Sequence, residues 1–167
     1  MDVSLIEKRI RRHIRTSNFF EKGDRILATD DITEFLLKKI LGKLPDEIIK
    51  KKISLTSLSN KTAKEFIKKN KINKVVIPWT ADDESVSFLK SIFGDGNISF
   101  ENTSYIKLLR PVLDEEASFY AKKNKIQWQP NKKDKKVKTF IDNMQKKYPE
   151  TKFSLIRSIE KLEEILR

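Results

Sequence analysis

The pattern of apolar and polar positions is clearest around residue 75. A short β-branched run, residues 75–77, is typical of a buried strand, and it stops at Pro78. An acidic segment, residues 80–84, comes next, and a helical pattern follows whose apolar side chains share one face. Those side chains are Val86, Phe88, Leu89, Ile92 and Phe93. Because ligands bind outside the carboxyl ends of strands in open α/β sheets, this turn is the first candidate for a functional site.

Further strands and helices alternate on both sides of this unit. The predicted helices cover residues 2–15, 32–41, 60–70, 114–123, 131–147 and 151–167, with a helical turn after Pro45. The other predicted strands or extended segments cover 25–29, 53–58, 104–112 and 126–130, and an exposed loop covers 94–97. This order predicts an α/β fold with an open, mostly parallel sheet flanked by helices, as in Rossmann folds. We expect three regions: a basic N-terminal helix with its anchor (1–22), the α/β domain (23–130) and a C-terminal helical hairpin (131–167).

The chain has no cysteine and one histidine. Disulfides, thiolate metal sites, iron–sulfur ligation and a cysteine nucleophile are therefore excluded, and so is a histidine-rich metal site. The basic N-terminus lacks the apolar core of a signal peptide, and no apolar run is long enough to cross a bilayer. We expect a cytoplasmic protein with no membrane partner.

The formal net charge is +12, which favours polyanionic partners, nucleic acid first. Two basic clusters are candidate RNA-binding sites. The first lies on the N-terminal helix and comprises Lys8, Arg9, Arg11, Arg12 and Arg15. The second comprises Lys132, Lys133, Lys135, Lys136 and Lys138, next to Trp128, whose ring can stack on a base. The residues alone leave a second interpretation open for both clusters, that of a solvated helix face.

Two acidic turns carry the remaining candidate chemistry. Asp82, Asp83 and Glu84 either cap the positive end of their helix or hold a magnesium ion, since hard cations prefer carboxylate oxygens. We favour capping. The turn after the first strand carries Asp30 and Asp31 but no glycine and no lysine. It predicts a good helix cap and a poor phosphate site.

Several short motifs occur in a familiar order: KGDRI at 22–26, the DD-E turn at 82–84, LRP at 109–111 and KFSLIRS at 152–158. Their order resembles the PP-loop ATP pyrophosphatase superfamily, in particular its tRNA 2-thiolation branch, over most of the chain. The family's Gly-His-Asn-x-Asp-Asp segment is similar to residues 78–83, and its Arg-Pro-Leu segment to residues 109–112. The residues that match these motifs are Asp82, Asp83, Glu84 and Arg110.

The departures from the family pattern are as informative. Residues 28–33 (ATDDIT) stand where the family has Ser-Gly-Gly-Lys-Asp-Ser, and the family's cysteines are missing. The resemblance implies a PP-loop type fold that is one βα unit short before Ile53. It further implies a pseudoenzyme without cofactor or metal, similar to the non-catalytic subunit of the cytoplasmic wobble-uridine thiolation complex. Its expected partners are tRNA and an active thiolase paralogue in a heterodimer, or a second copy of itself.

Two other functions stay open from the sequence. One is a nucleotide- and magnesium-binding enzyme of the same superfamily with a non-standard site. The other is a small basic regulator that binds nucleic acid, although the chain has no helix-turn-helix spacing, zinc finger or RNP-type aromatic motif.

Overall fold

The structure is a computed structural model, and it describes residues 1–94 and 104–165. Four strands in the described residues form one all-parallel sheet in the order β2-β1-β3-β4. The elements are, in chain order, α1 (Val3–Ser17), β1 (Arg25–Ala28), α2 (Asp31–Leu41), β2 (Glu47–Lys50), a 3-10 turn (Leu55–Ser57), α3 (Lys61–Lys69), β3 (Lys74–Ile77), α4 (Ala81–Gly94), β4 (Ile106–Lys107), α5 (Asp114–Lys123), α6 (Lys135–Lys147) and α7 (Thr151–Ile165). The predicted α/β class with a parallel sheet is confirmed.

The two faces of the sheet bury different residues, because side chains alternate along each strand. Ile26, Ala28 and Val76 lie on one face, in the main core that also receives α1, α2 and α5. Ile77 and Trp79 belong to a second apolar cluster, in which the buried Leu58 lies. The N-terminal helix is therefore part of the main core, where Ile6 and Ile10 are buried and Val3 and Ile14 are partly buried.

The C-terminal hairpin packs on α4 rather than directly on the sheet. Its apolar cluster joins Ala81 and Phe88 of α4 to Ile156 and Ile159 of α7, with Leu113 between them. The predicted helical hairpin is confirmed in the described residues, and it is anchored to the helix that follows the central strand.

The second strand begins six residues before the segment that the sequence predicts. β2 is Glu47–Lys50, where Ile48 pairs with Ile26 and packs against the main core. Residues 53–58 instead form a coil and a 3-10 turn, in which the Ser54 and Ser57 hydroxyls are 2.7 Å apart. The predicted strand at 53–58 and the helical turn after Pro45 are wrong, because serine hydroxyls offer the backbone local partners that compete with a ladder.

Three other boundaries differ from the prediction. α6 begins at Lys135 rather than residue 131, because the Asp134 side chain accepts from the backbone N–H groups of Lys136 and Val137. Within 104–112 only Ile106–Lys107 pairs as a strand. Of the predicted loop 94–97, Gly94 ends α4 and the rest lies outside the described residues. No helix within the described ranges is long and apolar enough to span a membrane.

Candidate functional site

The turn between β1 and α2 lies at the carboxyl edge of the sheet, and its own side chains close it. Asp30 is the N-cap of α2, and its Oδ1 accepts from the Thr33 backbone N–H at 2.9 Å and from the Thr33 hydroxyl at 2.6 Å. Asp31 forms ion pairs with Lys50 at 3.0 Å and with Lys52 at 2.6 Å. A phosphate group approaching this turn meets two carboxylates, so the residues present do not fit a nucleotide phosphate.

The environments of these two carboxylates differ. Burial raises the pKa of Asp30, although its hydrogen bonds from Thr33 oppose the rise. Hydrogen bonds from Lys52 and then Lys50 lower the pKa of the half-buried Asp31 carboxyl. The turn is thus a helix cap with a solvated ion pair beside it.

The turn between β3 and α4 also contains a capping box. The Thr80 backbone N–H donates to Asp83 Oδ2 at 2.9 Å, and the Asp83 backbone N–H donates to Thr80 Oγ1 at 3.2 Å. This reciprocal pair satisfies two backbone donors at the start of α4. The predicted capping role is therefore confirmed for Asp83.

Each carboxylate of this second turn also binds a cation from a distant segment. Asp82 pairs with Lys152 of α7 at 2.6 Å, and Asp83 pairs with Lys133 at 2.7 Å. The third pair joins Glu84 to Lys107 of β4, also at 2.7 Å. The three lysine side chains are between 4% and 10% exposed. We name the three carboxylates with these three lysines the buried ion-pair network.

Further charged groups complete this network. Lys133 also pairs with Asp114 at 2.8 Å, Lys152 with Asp142 at 2.7 Å, and Arg110 bridges Glu84 at 3.1 Å and Glu163 at 3.0 Å. Burial by itself lowers the pKa of Lys133, but the Asp83 and Asp114 carboxylates outweigh it and raise that pKa. Lys152 behaves in the same way, since Asp142 and Asp82 raise its pKa against the effect of burial.

This arrangement bears on the magnesium alternative. The carboxylate oxygens that a hard cation needs are already engaged by ammonium and guanidinium groups. In the part of the chain that the structure describes, no group of three or more His, Cys, Asp or Glu side chains is arranged to hold a metal ion. The second turn therefore ties β4, α7 and the segment before α6 to α4.

A polar pocket of about 520 Å³ lies beside this network, between α1, β4 and α7. His13 Nε2 lies there, 3.3 Å from the carbonyl oxygen of Lys107. Burial, aided by the positive charge of Arg110, lowers the pKa of His13 to about 4, so the ring is neutral at physiological pH. The opposite wall carries the carboxylates Glu160, Glu163 and Glu164. This wall disfavours an anionic ligand.

The first predicted RNA-binding cluster is largely at the surface. Lys8, Arg11, Arg12 and Arg15 are exposed, and none of them lies within ion-pair distance of a carboxylate among the described residues. Arg9 differs, because it pairs with Glu116 at 2.5 Å and its guanidinium lies 5.6 Å from the centre of the Phe153 ring. The four exposed cations form the outer face of α1.

The second predicted cluster is divided by the fold. The prediction that Lys133 is an RNA-binding surface residue is wrong, because its side chain is 4% exposed and bound to two carboxylates. Lys138 pairs with Asp142 at 2.6 Å, whereas Lys132, Lys135 and Lys136 are exposed. Trp128 is half-buried against the main core, and its Nε1 atom has no hydrogen-bond partner in the described residues. These residues therefore do not form one continuous basic surface.

The sequence prediction did not identify Lys107 and Lys152 as partners of the acidic turn. Lys107 stands inside the apolar stretch YIKLL, and Lys152 begins the stretch KFSLI. A lysine flanked by core residues signals a buried ion pair, since burial without a partner is costly. The sequence therefore indicates that these lysines are paired, but it does not indicate which carboxylates they bind.

The sheet order, its parallel register and the flanking helices define a Rossmann-like α/β fold. No protein-family model and no curated protein sequence matches the chain. Among solved structures, the chain is similar to the U34-tRNA thiolase NcsA from Methanococcus maripaludis, determined with its [4Fe-4S] cluster. The TM-score is 0.66 at 12% identity, and the match covers 97% of this chain and 80% of that one. At this identity the likeness is one of fold.

The iron–sulfur cluster of that thiolase can be tested against the residues of this chain. Clusters of this kind are held by cysteine thiolates, and this chain contains no cysteine. The residues present therefore do not fit such a cluster.

Proposed function

We propose that this protein is a non-catalytic PP-loop protein of tRNA 2-thiolation that binds tRNA and works beside an active thiolase paralogue. The observation that carries the proposal is the turn between β1 and α2, where Asp30 caps the helix and Asp31 pairs with Lys52, so that two carboxylates occupy the turn. The fold likeness to a tRNA thiolase supports the thiolation context. Without cysteine, this chain cannot carry sulfur on a thiolate of its own.

The outer face of α1 is the tRNA-binding surface in this proposal. Its four cations follow one another at three- and four-residue spacings, so each lies next to two like charges on the helix. Like-charge neighbours of this kind each cost roughly 0.2 to 0.5 kcal/mol, which a phosphate backbone relieves. Arg11, for example, lies one turn from Arg15 and has no described carboxylate within ion-pair distance.

The partner supplies the chemistry that this chain lacks. Adenylation needs a phosphate-binding loop, and sulfur transfer needs a carrier, and neither is provided by the two acidic turns. A cytoplasmic heterodimer with an active paralogue is therefore the assembly that we propose.

A filter-binding titration with purified tRNA over a range of salt concentrations tests the RNA half. Neutralising the outer face of α1 should weaken binding by about tenfold or more and make the salt dependence shallower by about three in log–log slope. A matched variant removes the same charge from α3. The two variants are Lys8→Gln/Arg11→Gln/Arg12→Gln/Arg15→Gln and Lys61→Gln/Lys64→Gln/Lys68→Gln/Lys69→Gln. Equal loss in both variants would contradict a specific surface on α1.

Calorimetry with ATP and magnesium tests the non-catalytic half. We expect no heat of binding, because two carboxylates stand where the phosphates would lie. Micromolar binding would overturn this half and leave the tRNA result standing. Co-elution with a purified active thiolase tests the partner, and separate elution at micromolar concentration contradicts it.

A further inference from the structure

An apolar groove with a volume of about 460 Å³ lies between α4, α6 and α7, away from both acidic turns. Large apolar side chains are exposed there: Phe140 is 49% exposed, Tyr148 is 62% and Met144 is 36%. Phe93 of α4 is 60% exposed, and its ring meets Phe140 edge to face at 5.9 Å. Leu89 and Leu155 line the floor of this groove. Four large apolar side chains on one face of a small domain mark an interaction site.

Exposed lysines lie one helical turn from the apolar side chains at the groove, on α4 and α6, and we name them its basic rim. On α6, Lys136 lies four residues before Phe140 and Lys147 three residues after Met144, so each neighbours an exposed apolar side chain. On α4, Lys90 lies three residues before Phe93. These three lysines are exposed, and none pairs with a carboxylate in the described ranges. Arg157 donates to Ser154, which lines the groove on the α7 side, and the charged residue in the lining itself is Glu150.

We propose that this groove binds an acidic amphipathic helix of a partner protein. A helix that lays its apolar face into a groove between helices is a recurrent recognition mode, and here the apolar floor and basic rim match it. This inference specifies how the partner of the proposed function is bound. It rests on the proposed function only for the existence of a protein partner. Lys136, which the sequence groups with RNA-binding residues, belongs to this rim.

A second copy of this chain fits the groove poorly. Each copy has a formal net charge of +12, and a symmetric dimer through this face would place the two basic rims against each other. Like charges in apposition oppose association.

RNA also fits the groove less well than a protein helix. Bases stack on flat aromatic faces, but the Phe93 and Phe140 rings lie at 82° to each other and pack edge to face. The floor is aliphatic, formed by leucine side chains that provide no stacking surface.

The test uses the full chain and a fluorescent designed helical peptide, with leucines at heptad spacing on one face and glutamates on the other. A second peptide with lysines in place of the glutamates is the charge control. Fluorescence anisotropy should show micromolar binding of the acidic peptide. The basic peptide should bind at least about tenfold more weakly. Equal binding of both peptides, or no binding of the acidic peptide, would overturn the proposal.

Variants of the chain locate the peptide. Phe140→Ser should weaken the acidic peptide about tenfold, as removal of a central aromatic anchor does. Lys136→Glu/Lys147→Glu should reverse the preference between the two peptides. Leu5→Ser, at another exposed leucine, is the matched control and should leave binding unchanged. Retained affinity in Phe140→Ser contradicts the groove.

Two further outcomes would assign the groove to another occupant. A dimer in light scattering that Phe140→Ser dissociates would mean a second copy, and loss of tRNA binding in the same variant would mean RNA. Either result overturns this inference. Unchanged tRNA binding in Phe140→Ser, with loss in the α1 variant, separates the failure of this inference from that of the proposed function.

Discussion

The two acidic turns at the carboxyl edge of the sheet have nearly the same residues and different surroundings. Both follow a buried strand, both carry two adjacent aspartates, and both contain a capping box of aspartate and threonine. In the first turn the cap is Asp30 and its partner is Thr33; in the second the order is reversed, with Thr80 before Asp83. The ion pairs differ more, because those of the first turn are solvated and those of the second are buried.

The difference comes from the elements that cover each turn. Lys50 and Lys52, which face Asp31, are 39% and 62% exposed and come from the adjacent edge strand and the loop after it. Lys133 and Lys152 come from the C-terminal region and are at most 10% exposed. A similar motif is therefore a local helix cap in one place and a long-range tie in the other.

The largest expected effect comes from removing a buried lysine. Lys152→Met keeps the side-chain volume but leaves the buried Asp82 without its cation, so we expect the free energy of unfolding to fall by roughly 3 to 5 kcal/mol. Lys52→Met removes an exposed partner of Asp31 and should cost less than about 1 kcal/mol. Urea denaturation of both variants measures the difference. Similar losses would show that the two turns are energetically equivalent.

Aspartate-to-asparagine changes in the two capping boxes should give a contrast in the same direction, with a smaller loss at the second turn. Asp83→Asn leaves Lys133 buried with Asp114 alone, and we expect a loss of about 3 kcal/mol. Asp30→Asn retains a good N-cap and removes a carboxylate whose pKa burial raises, so stability at neutral pH should be unchanged or slightly higher. Chemical denaturation near neutral pH provides both values. A clear loss in Asp30→Asn would mean that its charge is needed.

The smallest of the three effects depends on pH and has its origin in His13. This residue lies near Arg110, which pairs with Glu84 in the second turn. The unfolded chain protonates His13 near its ordinary pKa of 6.5, whereas the folded chain does so only near pH 4. Between these values the unfolded state binds more protons, so stability falls as the pH falls. From about pH 6.5 to about pH 5 the loss should be about 1.6 kcal/mol.

His13→Gln is the control for this titration, since glutamine can still donate to the Lys107 carbonyl oxygen but does not titrate. Its free energy of unfolding should fall less over the same range. Parallel curves for wild type and His13→Gln would exclude His13 as the titrating group.

The sequence predicts most elements of the sheet domain because their signals are local. The β-branched residues of β3 and the acidic start of α5 are read from a few neighbouring positions, and both elements form where expected. β2 was misplaced because Glu47–Lys50 is a short, half-exposed strand whose pairing with β1 decides its place. Local propensity in residues 53–58 favoured the wrong segment, and their serine hydroxyls bond locally instead.

The candidate site divides in the same way. The sequence by itself determined that Asp30, Asp31 and Asp83 lie at helix starts, that thiolate chemistry is excluded and that the N-terminal helix has a basic face. Only the tertiary structure decided that Lys133 is buried and that Asp82, Asp83 and Glu84 each bind a different distant lysine. A helix cap depends on residues three positions apart, whereas the solvation of a charge depends on which segments cover it, and no local pattern specifies that.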